Sequence, residues 1–308
     1  VTALPLDLGW RAVVAVSAPL AAATVVLGTR ALPRDTNHAA ARSVRVDVIG
    51  LLLLAAATVA VLLPLVQSGL SAATTIGLVA VAAGAVTAFA WWERRAGLHD
   101  PDAALLPPTL RRAPAFVSGT LVSTFWFGAR LAQQVVVTLF LIDVLHLSAL
   151  VAAAASVPSA AAMAVTASAS WRLVAWFGTR VISVALAVQM LLTTVLALTL
   201  PHLDAGAAVP LLLGVNTLSG IAGGCVDSPN RAHTLQHSPD ASCSVAAGFL
   251  HLAQRLSATV CIAAATGIAL TGRSAQPTAH GTGLALGLCA GLVCGSLLVS
   301  VRRAGRSK

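Results

Sequence analysis

The sequence predicts an all-α fold, a polytopic membrane helix bundle, on three observations. Charged residues are only 9% of the chain, against roughly 25% in soluble domains, so a water-facing surface cannot be covered. Apolar stretches of about 20 residues, long enough to cross a bilayer, recur from one end to the other. The basic residues gather in short clusters between those stretches.

Nine spans are expected, and each must be helical because a backbone in lipid has to satisfy its own hydrogen bonds. They run Arg11–Leu32, Val46–Gln67, Ala72–Trp92, Phe116–Val144, Ser148–Ser170, Val181–Leu200, Ala207–Val226, Val245–Leu270 and Thr282–Val301. Residues 1–114 hold three of them with cytoplasmic loops, and residues 115–308 hold six. The longest polar stretches, Glu93–Pro114 and Asp227–Ser244, read as cytoplasmic loops. Pro64, Pro158 and Pro210 interrupt helical runs, where each removes a backbone hydrogen bond.

Orientation follows from the excess of Lys and Arg in cytoplasmic loops. With the C-terminus inside, the cytoplasmic segments hold Arg30, Arg34, Arg42 and Arg45; Arg94, Arg95, Arg111 and Arg112; Arg172 and Arg180; Arg231; and Arg302, Arg303, Arg306 and Lys308. The opposite side keeps only Arg273, with Arg11 at a boundary. Arg130 and Arg255 fall within spans. The expected topology is a multi-pass protein of a bacterial plasma membrane, N-terminus outside and C-terminus cytoplasmic.

A net charge of +9 reads here as topology, so nucleic acid is not an expected partner. The five cysteines form no CxxC pair and read as small buried hydrophobes, not a disulfide or metal framework. His233 and His237 have helical spacing but no evident third ligand. No nucleophile–base set and no GxxxxGK[ST] phosphate loop is present, so neither an enzyme nor direct ATP drive is expected.

Several segments carry a resemblance. Asp7-Leu8-Gly9-Trp10-Arg11 precedes Ala18-Pro19-Leu20; Trp91-Trp92-Glu93-Arg94-Arg95 precedes Leu105-Leu106-Pro107. Arg172-Leu173-Val174-Ala175-Trp176-Phe177-Gly178-Thr179-Arg180 follows, then Ser228-Pro229-Asn230, Ala246-Ala247-Gly248 and Gln254-Arg255. In order and spacing these resemble the fourteen-helix drug:proton antiporters of the major facilitator superfamily. The chain departs from that pattern at Ser17, Leu141-Ile142-Asp143, Trp171, Ala175 and Trp176. The resemblance implies a secondary transporter exporting drug-like or amphiphilic small molecules. It would be driven by the proton gradient and need no cofactor. It also implies that the sixth helix, two central helices and the final six are present and the first five are lacking. Missing N-terminal helices, or a second copy, would then complete the path. The alternative expectation is a non-transporting remnant, scaffold or partner subunit.

Polar residues inside the spans are the candidates for a substrate and proton pathway. A charge at mid-membrane costs about 2.5–3.5 kcal/mol, so it faces the protein interior or a watery cavity. Arg130, Gln133 and Gln134 share a helix face, extended by Ser123, Trp126 and Thr138. His251, Gln254 and Arg255 repeat the spacing in the eighth span. Asp143 and Asn216 complete the set. These residues read either as substrate and proton contacts or as interhelical hydrogen-bond formers. No carboxylate stands in mid-span beside Arg130 or Arg255, so their expected partners are the absent helices or water.

The turn carrying Arg172, Gly178 and Arg180 is the candidate cytoplasmic gate, or else a plain positive-inside anchor. Gly220 and Gly224, and the row Gly283, Gly287, Gly291 and Gly295, lie four apart and are expected to let helices approach closely.

Overall fold

A computed structural model describes residues 18–19, 21–30, 47–67, 70–99, 107–236, 238, 243–270 and 278–306. Asp7, Trp10, Arg11, Leu20, Arg34, Arg42, Arg45, Leu105, Leu106, His237, Arg273 and Lys308 lie outside them, as does part of the first expected span. The chain divides into residues 1–44 and residues 45–308. In the first unit, residues 18–19 and 21–30 are helical.

The second unit contains α1 (Val48–Val66), α2 (Ala72–His99), the single turn α3 (Pro108–Arg111), α4 (Pro114–Leu139), α5 (Ala149–Phe177), α6 (Arg180–Thr199), α7 (Ala205–Gln236), α8 (Cys243–Ala269) and α9 (Ala279–Arg306). All but α3 are long and apolar enough to cross a membrane, giving eight candidate spans among the described residues. No strand occurs among those residues.

Their outer surfaces fit lipid. In the most apolar stretch of α5 only 6% of residues are buried, and Leu150, Val165, Trp176 and Phe177 are each exposed. Soluble monomers rarely show contiguous apolar patches larger than a few hundred Å². The chain is a multi-pass membrane protein.

α1 and α2 form a hairpin that leans on α8. Asp47 caps α1 by accepting the Gly50 N–H at 2.8 Å, and the same Oδ1 accepts the Trp92 indole N–H at 2.9 Å. One carboxylate thus starts α1 and ties it to α2.

The remaining six long helices form the bundle. α5 packs most extensively on α7, α4 on α8 and α9, and α9 on α6. Contacts run in step along α5 and α7: Ser159 meets Gly220, and Met163 and Ala167 meet Gly224. These two helices are therefore parallel. Leu186, Leu196, Leu212 and Leu286 are fully buried between the layers.

α7 departs from its expected span. It runs ten residues past Val226, through Pro229, so Asp227, Ser228, Pro229 and Asn230 are helical and not a loop. The reason is tertiary. Asn230 Nδ2 donates to the Gly119 carbonyl and to Ser123 Oγ, both at 2.9 Å, and Arg303 Nη1 donates to Asn230 Oδ1 at 3.3 Å. Asn230 thus joins α4, α7 and α9 at one end of the bundle. Of the cysteines, Cys225 and Cys289 are buried and all five are free, but Cys243 is exposed at the start of α8.

Candidate functional site

α4 organises the site. Residues at i, i+3 and i+4 spread over about 100° of a helix, and all three polar groups of α4, Arg130, Gln133 and Gln134, reach one cavity. Gln133 is buried and turns to α6. Its Oε1 accepts from Gln189 Nε2 at 3.1 Å and from Thr193 Oγ1 at 2.9 Å, and Gln189 Nε2 also donates to Thr193 Oγ1 at 3.1 Å. Gln189 and Thr193 were absent from the expected set. Their signal was an amide and a hydroxyl four apart on one face of the span.

This knot makes a testable claim about polar pairing. Gln133→Leu leaves the Gln189 amide and the Thr193 hydroxyl without their shared acceptor, at a cost of about 1–3 kcal/mol. Gln133→Leu with Gln189→Leu removes both amides and is expected to restore most of that loss. Thermal unfolding of the detergent-solubilised chain measures both; equal melting of single and double variants would contradict it.

Arg130 turns the other way. With Gln134, Thr138, Ser156, Ser159, Asn216 and Ser219 it lines a cavity of about 100 Å³ between α4, α5 and α7, whose floor includes Gln133 and Gln189. Arg130 Nη2 donates to the Met163 thioether at 2.8 Å. No carboxylate lines this cavity, so it offers a guanidinium, amides and hydroxyls to an acceptor-bearing ligand.

Asp227 of α7 comes near Arg130, whose hydrogen bond goes instead to Met163. Trp126, one turn before Arg130, donates its indole N–H to Asp227 Oδ1 at 2.6 Å. Gly223 stands one turn before Asp227, where a methyl would also fit. A Cβ there would stand 3.5 Å from Arg130 Nε and 3.6 Å from the Trp126 ring. Arg130 and Trp126 on α4 thus face Gly223 and Asp227 on α7.

A second cavity, about 540 Å³, opens beside Asp227. Its lining includes Arg231, Ser228, Phe127, Ala167 and Gln254. Arg231 Nη2 donates to Gln254 Oε1 at 3.4 Å, so Gln254 is buried and joins this second site.

His251 and Arg255 do not join it. Both are exposed on another face of α8, so the expected triple of His251, Gln254 and Arg255 is split by the same helical geometry. Asp143 is also apart: it is exposed in a wider helical turn, Phe140–Val144, that continues α4. Asn216 stands in the smaller cavity with Arg130.

The turn between α5 and α6 is short. Gly178 takes φ 63° and ψ −155°, a conformation that glycine alone adopts readily, and its N–H closes α5 on the Val174 carbonyl at 2.8 Å. Arg172 and Arg180 flank it, exposed, and the Arg172 guanidinium lies 5.2 Å from the Trp171 ring centre.

The glycines fall into two groups. A Cβ on Gly224 would come within 2.7 Å of the Met163 carbonyl oxygen and the Ala167 nitrogen, and one on Gly220 would collide with the Ser159 carbonyl. The row on α9 is not a continuous seam. Gly283 abuts Ala197 and Pro201, Gly295 touches the Phe125 ring, and Gly287 and Gly291 are exposed with nothing within 4 Å. A four-residue spacing precesses about 40° per step on a helix of 3.6 residues per turn, so the row winds from α6 toward α4. Compared with known proteins, the chain matches no protein-family model and no curated sequence.

Proposed function

We propose that this chain forms the transport bundle of a secondary active transporter. It moves drug-like or amphiphilic small molecules outward across a bacterial plasma membrane in exchange for protons. The observation that carries the reading is the polar cavity around Arg130 within a bundle of membrane-spanning helices. A guanidinium at that depth costs about 2.5–3.5 kcal/mol, and a cavity that solvates it and a ligand offsets the cost. Sites between helices near the bilayer midplane are where transporters place their substrates. The motif resemblance to drug:proton antiporters supports proton exchange as the energy source. The Lys and Arg distribution supports a cytoplasmic C-terminus, with the larger cavity, the Arg172–Arg180 turn and Arg303 on that same side.

The lining favours acceptor-rich ligands, since it presents donors and no carboxylate. Inverted membrane vesicles carrying the chain are given a proton gradient, acid inside, and offered a cationic and an anionic amphiphilic dye. Uptake that collapses with a protonophore is the expected result. Insertion of the chain without uptake of either dye would overturn the reading.

A further inference from the structure

The hydrogen bonds around the smaller cavity leave one acceptor over. Gln189 Nε2 gives its protons to Gln133 Oε1 and Thr193 Oγ1, and the Thr193 hydroxyl gives its own to Gln133 Oε1. Every donor of Gln189 and Thr193 is thus used inside the knot. Gln189 Oε1 is buried with no hydrogen-bond partner among the described residues, in a residue that is 2% exposed and lines the cavity. An amide oxygen only accepts, so whatever meets it must donate. Ser219 Oγ, in the α7 wall of the cavity, is a second buried atom with no partner among those residues.

Two other hydroxyls of the lining are committed elsewhere. Thr138 and Ser156 donate to carbonyls of their own helices, Gln134 at 2.8 Å and Ala153 at 2.7 Å. Arg130 has N–H groups and no acceptor. The cavity therefore combines a guanidinium that needs an acceptor with an amide oxygen that needs a donor. An ester or a carboxylate meets the first and not the second. A quaternary ammonium meets neither.

We propose that the smaller cavity selects a head group joining an acceptor to an N–H or O–H donor, as in a secondary carboxamide. The carbonyl accepts from Arg130, and the N–H donates to Gln189 Oε1. A cavity of about 100 Å³ holds the head group, and the apolar remainder of the ligand extends past Gln134 and Thr138, the exposed part of the lining. As a substrate class this rests on the function proposed above; as a binding preference it does not.

N-methylhexanamide and methyl hexanoate have nearly the same shape, and both keep the carbonyl; only the amide carries an N–H. Dissociation constants for both are measured by ligand-observed NMR on the full chain in detergent. The amide is expected to bind about ten- to hundredfold more tightly, because the ester covers a buried acceptor without giving it a donor. Gln133→Leu with Gln189→Leu removes that acceptor together with its knot, and most of the preference is expected to go with it. Equal binding of the two probes by the native chain overturns the proposal. So does a preference that survives the double variant undiminished, which would belong to the amide carbonyl on Arg130 alone, and so does binding of neither probe. If the double variant fails to fold by circular dichroism, Gln189→Met, close in shape to the native side chain, takes its place. An amide preference in a chain that moves no dye keeps the proposal and removes the transport reading; dye transport without the preference does the reverse.

Discussion

Arg130→Ala is expected to weaken transport by about ten- to hundredfold, while the variant inserts at the native level. A hydrogen bond to a charged group contributes about 1.5–3 kcal/mol, and each 1.4 kcal/mol is tenfold in affinity. Arg130 is the one charged residue among the described residues that line the smaller cavity, so its loss falls on ligand binding before anything else. It also removes a cation near Asp227 and the donor to Met163. A hydrogen bond such as the one to Met163 contributes about 0.5–1.5 kcal/mol, so Arg130→Ala is expected to melt slightly early as well.

The two losses differ in size. Arg130→Ala leaves Asp227 with Arg231 on α7, so its loss of stability should be smaller than its loss of transport. Arg130→Lys keeps the charge but lacks the planar fork that reaches both Met163 and a ligand, and falls between. Initial rates of dye uptake in proteoliposomes and melting in detergent read the two effects independently. Native transport by Arg130→Ala would mean that the smaller cavity is not the site.

The helices were legible because lipid imposes a simple rule on sequence. Eight spans show as apolar runs with basic punctuation, and their starts follow from composition alone, although α2, α5 and α7 run seven to ten residues past their expected ends. The end of α7 was not legible. Asp227, Pro229 and Asn230 read as a loop because polar groups and proline end helices in isolation. Here the polar groups are satisfied across the bundle, Asp227 by Trp126 and Asn230 by Gly119 and Ser123, partners more than a hundred residues away.

The site was half legible for a related reason. Spacing put Arg130, Gln133 and Gln134 on one broad face, and all three line one cavity with Asn216. Spacing could not say where the helix contact cuts that face. In α4 the cut sends Gln133 inward to Gln189; in α8 it sends Gln254 inward to Arg231 and leaves His251 and Arg255 outside. Neighbouring helices set that cut, and one helix's sequence does not contain them.

The glycines of α7 carry the second large effect. Gly220→Ala and Gly224→Ala each place a methyl against backbone atoms of α5: the Ser159 carbonyl in one case, the Met163 carbonyl and Ala167 nitrogen in the other. Flexible side chains could give way, but helical backbone cannot, so α5 must move off α7. Overpacking of this kind costs about 1–3 kcal/mol per site. The α5–α7 interface is the most extensive in the bundle and walls the Arg130 cavity, so the double variant is expected to lose transport along with stability. Gly214→Ala, on the same helix, is the control, since nothing lies within 4 Å of its Cβ. Alanine in a helix interior is favoured over glycine by about 0.5–1 kcal/mol, so that variant should melt at or above the native temperature. Detergent melting curves for the three single variants decide the matter. Divergence of Gly220→Ala and Gly224→Ala from Gly214→Ala would mean that bare backbone, and not helix flexibility, is what these glycines supply, whereas matching curves would remove the close approach of α5 and α7.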